Sequence, residues 1–229
     1  TDGSGKRPVE ETRKEINAHG AGVVRLSKVS GRWQVVDNDP LNRRFTTVSL
    51  MDIAGPLRGS DHVKTKFSPA GTQCRGTNNN CGNGYTPWGT YLTCEENWPG
   101  IFVNTATRPA DQVRIGVSAT RGQYRWETCA GDASEVDDEF GRFNITPSGA
   151  SATDDYRNEA STYGYIVEID PYNASTLAVK RTALGRFRHE GCCPGLPVAG
   201  KPLVWYTGDD SNNEYLYKFV SDAVWDPAD

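Results

Sequence analysis

YGYIVEID (163–170), LAVKRTALG (177–185), PLVWYTG (202–208) and EYLYKFVS (214–221) alternate apolar and polar residues over short runs rich in Val, Ile, Tyr and Thr. Successive side chains of a strand point to opposite faces, so each run predicts a β-strand. Between them lie DPYNAST, the Gly- and Cys-containing RFRHEGCCPGLPVAGK, and DDSNN, which are loops by composition. Four consecutive strands joined this way predict one antiparallel meander.

The pattern extends upstream. AGVVRLSKV (21–29) and GRWQVVDN (31–38) predict a hairpin turning at Ser30 and Gly31, followed by RRFTTVSL (43–50) and a Gly/Pro break at AGPLRG (54–59). From about Lys66 to Trp98 the chain is dense in Asn, Gly, Thr and Cys, and only TYLTCEE (90–96) has strand alternation. DASEVDDEF (132–140) and SATDDYRNEAS (151–161) are acidic and poor in large aliphatics, and predict an irregular excursion at about 130–160. The Asp132, Glu135, Asp137, Asp138 and Glu139 cluster lacks the spacing of a calcium loop and reads as solvated. Repeated strand units with Gly-rich, aromatic turns suit a β-propeller, with a sandwich as the competing architecture.

Composition agrees with an all-β fold. The 229 residues are only 36% hydrophobic, yet six Trp, ten Tyr and seven Phe supply large apolar bodies that a disordered chain lacks. The 24 Gly and 13 Pro exceed average usage and favour turns over long helices. Basic and acidic residues number 25 and 29, a net charge of −4, so no general field draws the chain to nucleic acid or an anionic bilayer. No apolar run is long enough to span a membrane, and the first twenty residues do not read as a signal peptide. The cysteines at 74, 81, 94, 129, 192 and 193 match no zinc or redox spacing, and adjacent Cys192 and Cys193 are poorly placed to bridge each other. Nucleophile-elbow, phosphate-loop and His-Glu-x-x-His motifs are absent from the sequence.

Polar groups gather at strand ends in three segments: 78–97, 188–191 and 207–218. In the first, Cys81 offers a thiolate, while Glu95 and Glu96 fall on opposite faces of a strand, so one carboxylate can face inward. A thiolate beside carboxylates suits iron or another borderline ion, whereas carboxylates alone suit calcium. The bland alternative makes Cys81 a small buried residue, the glutamates solvated and Asn78 to Asn80 turn formers. Arg188, His189 and Glu190 unite an anion-binding fork, a possible ligand and a carboxylate, or else an ion pair beside an exposed His. Asp209 and Asp210 suit calcium or a turn. His19 and His62 stand apart from other ligand types and read as surface or satisfied core histidines.

Four segments in order, NNNCGNGYTPWGTYLTCEENWPG (78–100), YRNEASTYGYIVEIDPY (156–172), VKRTALGRFRHEG (179–191) and YTGDDSNNEYLYKFVS (206–221), closely resemble the PhoX family of bacterial alkaline phosphatases. NRRFTTVSLMDIAGPLRGSD (42–61) is similar to a further family segment, so the resemblance runs from about Asn17 to Asp229. It implies one partial, open β-propeller domain over 1–229, with about three to four blades of a six-bladed fold. It also implies hydrolysis of phosphate monoesters at an iron and calcium cluster with an oxo or hydroxo nucleophile.

Carried onto this sequence, the resemblance makes Cys81, Glu96 and Glu190 metal ligands, with Glu95 and Asp209 as further ones. Cys94 is the rival thiol. Arg188 lies at the substrate phosphate, and Lys218 is a second substrate contact. The implied partners are small-molecule phosphate esters, with no nucleic acid or membrane partner and a monomeric state, and the implied location is periplasmic or secreted. Family chains are longer and begin with a twin-arginine export signal. The start at Thr1 and the end at VWDPAD therefore predict an internal fragment, inactive alone, whose remaining ligands come from later blades. A non-catalytic propeller that binds a ligand, and a calcium-only phosphoesterase resembling propeller phytases, are the competing functions.

Overall fold

The computed structural model describes residues 5–130 and 139–228. Its strands are β1 (Arg7–Pro8), β2 (Ala21–Val23), β3 (Leu26–Val29), β4 (Arg32–Val35), β5 (Arg43–Phe45), β6 (Leu50–Ala54), β7 (Gln73–Arg75) and β8 (Asn80–Tyr85). There follow β9 (Tyr91–Glu95), β10 (Cys129–Ala130), β11 (Ile166–Ile169), β12 (Ala178–Arg181), β13 (His189–Pro194), β14 (Pro202–Asp209) and β15 (Leu216–Val224). Two short helices, α1 (Val9–Ala18) and α2 (Ala110–Arg114), complete the regular structure together with several 3-10 turns.

The expected all-β, open propeller-like architecture is present, but its strands are grouped differently. One sheet runs in the order β7-β6-β12-β11-β9-β8, and a second in the order β13-β14-β15. The four strands read as one meander are thus divided: β11 and β12 form a hairpin in the large sheet, and β14 and β15 belong to the other. The large sheet joins three hairpins, with β12 lying parallel to β6. Local alternation identifies strands but carries no information on which hairpins meet.

The middle of the large sheet is buried on both faces, which is why every residue of β11 is buried despite its alternating pattern. Val167 and Ile169 join Phe45, Met51, Ile53 and Ala178 on one side, while Ile166 joins Leu92, Cys94, Cys192, Leu203 and Trp205 on the other. The second group is the seam between the two sheets. A third core, around Trp98, Trp126, Phe102 and Phe143, receives Ile16 of α1. At ten residues α1 is too short to persist alone and depends on that docking.

NCGNGY, read from composition as loop, is strand β8 with a bulge between Asn80 and Asn83. A Cβ added to Gly84 would lie 1.9 Å from the Cys192 carbonyl oxygen, and one added to Gly82 would lie 2.4 Å from that of Glu190. The missing side chains let β8 and β13 touch backbone to backbone.

The Ser30–Gly31 hairpin forms as expected, but as a separate two-stranded sheet of β3 and β4 rather than part of a blade. Within 139–160 the excursion is better tied than its composition implied. Arg142 and Glu159 form a fully buried ion pair at 3.1 Å, and Asp155 accepts the N–H groups of Ser148 and Gly149. The acidic cluster at 132–138 lies outside the described residues, while Glu139 pairs with Arg13 at 2.8 Å.

Gly84→Ala should lower stability by about 3 kcal/mol by forcing the strands apart, whereas Gly208→Ala, with open space around its Cβ, should change it little. Urea midpoints of the two variants check this.

Candidate active site

The seam between the sheets changes character along its length. Leu92 and Trp205 are apolar neighbours in its core, Cys94 and Cys192 come next, and Cys81, Glu96 and Glu190 stand at the end. Residues 92, 94 and 96 share a face of β9 and its extension, so one strand contributes to every layer.

Cys81 sits in the β8 bulge with its thiol exposed, bordering a cavity of about 410 Å³. The Glu96 carboxylate, in hydrogen-bonding contact with the thiol, raises its pKa, aided by desolvation and by the nearby charge of Glu190. Glu96 is 8% exposed. Burial raises its own pKa, the Cys81 thiol opposes that shift, and hydrogen bonding and repulsion from Asp210 reinforce it. An acid beside another carboxylate is harder to ionise, and that is the sense of the Asp210 contribution at Glu96.

Arg188 anchors the same corner through its backbone. Its N–H donates to Asp209 Oδ1 at 3.3 Å and its carbonyl accepts the Asp210 N–H at 3.0 Å, which turns the Asp pair toward Glu96. The half-buried guanidinium donates to the Ile115 carbonyl at 3.2 Å. Of the two acids it is Asp210 that meets Glu96, while Asp209 serves Arg188; alternation gave no means of choosing between them at the strand end.

Among the described residues, no three His, Cys, Asp or Glu side chains form a group that could hold a metal ion as they stand. The donors meet as the contacts Cys81–Glu96 and Glu96–Asp210, with Glu190 beside Cys81. A thiol with several carboxylates is nevertheless the donor set of a borderline ion next to a hard one. Asn80 Oδ1, one residue from Cys81, is buried without a hydrogen-bond partner, an acceptor that a cation would satisfy. The residues fit a metal group.

The family model for the alkaline phosphatase PhoX matches residues 2–229. The chain belongs to the PhoX family. It is similar, at 35% identity and a TM-score of 0.83, to a solved structure described as Pseudomonas fluorescens PhoX in complex with vanadate, a transition state analogue. The match covers 97% of this chain and 36% of that one, so the chain spans little more than a third of that relative's length. No curated protein matches it.

Other expected site residues of this PhoX-family chain lie elsewhere. Glu95 is fully buried on the opposite face of β9, where Oε1 accepts from Lys180 Nζ at 2.7 Å and Oε2 from the N–H groups of Gly164 and Tyr165. Both members of the ion pair are 0% exposed. Glu95 is thereby committed to holding β9, β12 and the start of β11 together, and is not drawn to Cys81. Lys218 is exposed on β15 opposite Tyr206 and lines a cavity with Arg114, Arg186 and Phe187, apart from the Cys81 group. Cys94 is fully buried and its thiol is pushed far up by desolvation, so it packs as an apolar group.

His189 is buried rather than exposed. Its Nδ1 meets Thr207 Oγ1 at 2.8 Å and its Nε2 meets the Gly185 carbonyl at 3.2 Å. A carbonyl only accepts, so Nε2 carries the proton and Nδ1 accepts from the hydroxyl. Burial lowers the imidazole to about 4. Arg188 and Glu190 therefore flank a neutral side chain that points into the molecule.

Lys180→Met should cost about 3 to 5 kcal/mol in urea unfolding by stranding Glu95 in the interior, and adding Glu95→Gln should recover most of it. Because the folded imidazole stays neutral from its ordinary 6.5 down to about 4, the unfolded chain binds the extra proton in that interval. Stability should fall as pH drops through the interval, by about 2 kcal/mol at pH 5 from this group. In His189→Gln that component of the pH dependence should vanish.

Proposed function

We propose that this chain carries part of the active site of a phosphate monoester hydrolase, in which Cys81, Glu96, Glu190 and Asp210 hold iron and calcium. The observation that carries the reading is the pair of contacts Cys81–Glu96 and Glu96–Asp210, with Glu190 near Cys81, which draws donors from β8, the end of β9, β13 and the loop after β14 to one corner. Family membership and the vanadate complex of the P. fluorescens relative support it.

When bound, the ions supply charge neutralisation and polarisation of the phosphoryl oxygens. The chain's own groups prepare for them. Glu96 and Asp210 are paired acids whose mutual repulsion a cation relieves, and Cys81 offers the softer donor for iron. Arg188 keeps guanidinium N–H groups beyond the one bonded to Ile115, and these are suited to two phosphoryl oxygens at once. Such local charge makes a basic surface unnecessary, in keeping with the net charge of −4.

Small phosphate esters are the substrate class on this reading, and a monomer suffices. No described helix is long and apolar enough to cross a membrane. A periplasmic or secreted location rests on the family resemblance.

The polypeptide carrying this chain should release p-nitrophenol from p-nitrophenyl phosphate and lose that activity to a calcium chelator. Cys81→Ser should reduce its iron content and lower kcat/KM by about 100-fold or more. Arg188→Ala should lower kcat by about 100-fold with metal content unchanged. Full iron occupancy in Cys81→Ser would refute the thiol's role, and hydrolysis indifferent to the chelator would refute calcium's.

A further inference from the structure

His19 lies 62 residues before Cys81 in the chain. Its place is set by the end of α1. Gly20 follows at φ +109, and a Cβ there would fall 1.8 Å from the Phe45 carbonyl oxygen, so the backbone leaving α1 is pressed against the end of β5. Arg44 donates to the Asn17 carbonyl at 2.7 Å and fastens the last turn of the helix to that strand. On its other side the imidazole contacts Tyr124 and Trp126, with ring centroids 5.6 Å and 5.4 Å away, and those two rings stack at 4.9 Å. Trp126 is held in turn by its indole N–H donating to Glu15 of α1 at 2.9 Å.

This assembly grips a single residue, Asn79. His19 Nδ1 accepts the Asn79 N–H at 3.2 Å, and Tyr124 donates its hydroxyl to Asn79 Oδ1 at 2.8 Å. Asn79 has φ +46, a left-handed conformation that needs outside support in a residue with a side chain. Its carbonyl accepts the Glu96 N–H at 3.1 Å, one step beyond the Asn80–Glu95 pairing of β8 with β9. Asn79 therefore closes the ladder at the point where Cys81 leaves one strand and Glu96 the other.

The geometry points to His19, assisted by Tyr124, as a positioning residue for the Cys81–Glu96 pair, acting through the strained turn at Asn79. An amide N–H can only donate, so Nδ1 must be the unprotonated nitrogen. Burial favours the neutral ring and keeps that lone pair available. The inference rests on Cys81 and Glu96 being the site's donors, but its first test requires neither metal nor substrate.

Amide hydrogen exchange should be followed in the chain and in His19→Ala, His19→Asn and Tyr124→Phe. His19→Ala should speed exchange at both Asn79 and Glu96 by about tenfold, leaving the β9–β11 ladder unchanged. The Oδ1 of Asn in His19→Asn stands near the position of Nδ1 and should restore slow exchange. Tyr124→Phe keeps the stacked ring and should speed exchange at both amides by about fivefold.

An unchanged Glu96 amide in His19→Ala and Tyr124→Phe would overturn the proposal, and so would equal acceleration across the β9–β11 ladder. If His19→Ala does not fold, Tyr124→Phe decides by the same criteria. In the polypeptide carrying this chain, Tyr124→Phe should also lower kcat for p-nitrophenyl phosphate by about tenfold with KM retained. Lack of hydrolysis by the unsubstituted protein would count against the phosphatase reading, while the exchange rates would still decide the positioning role.

Discussion

The contact on which the rest depends is between two backbones. Gly82 and Gly84 of β8 lie so close to the carbonyls of Glu190 and Cys192 that no side chain fits between them. Two sheets stacked through ordinary side chains stand about 10 Å apart, too far for short acids to share an ion. Removing the side chains at one edge draws the sheets together there, while Leu92, Leu203 and Trp205 fill the seam farther along. The bulge in β8 turns Cys81 outward at the closest point, and β13 delivers Glu190 to the same place.

Charge in this molecule is sorted by whether it finds a fixed partner. Glu95 and Lys180 are sealed from water with the remaining Glu95 oxygen bonded to two N–H groups, and Arg142 with Glu159 repeats the device below a neighbouring core. Such pairs are costly to bury and costlier to break, so they fix which elements meet. The acids of the candidate site lack this compensation. Glu96 faces a thiol and another acid, and burial together with Asp210 raises its pKa above the ordinary carboxylate value. On the proposed reading, such clustered acids are the groups whose repulsion a bound cation would relieve, so that energy left unspent in folding would appear as affinity.

The same logic explains the layers around Asn79. A left-handed Asn at the mouth of the β8–β9 hairpin is stable because α1, the Tyr124–Trp126 stack and the end of β5 converge on it. The amino-terminal helix, which contributes little to the sheets, is thereby linked through His19 and Asn79 to the strand ends that carry Cys81 and Glu96.

Much of this protein could be read from one dimension. Alternation found β9, β11, β12, β14 and β15, and the Ser30–Gly31 turn located a hairpin, because period and turn chemistry are local properties. The motifs containing Cys81, Glu96, Arg188 and Glu190 were equally legible as a family resemblance. Strand β8 was not, since Asn and Gly give no alternation and its strand state comes from pairing with β9. Nor could sequence separate Glu95 from Glu96 by role, show that Asp210 rather than Asp209 reaches Glu96, or give His19 a task. Those outcomes depend on which face of a strand meets charge, glycine-thin contact or solvent, and that is settled only when segments distant in the chain are packed together.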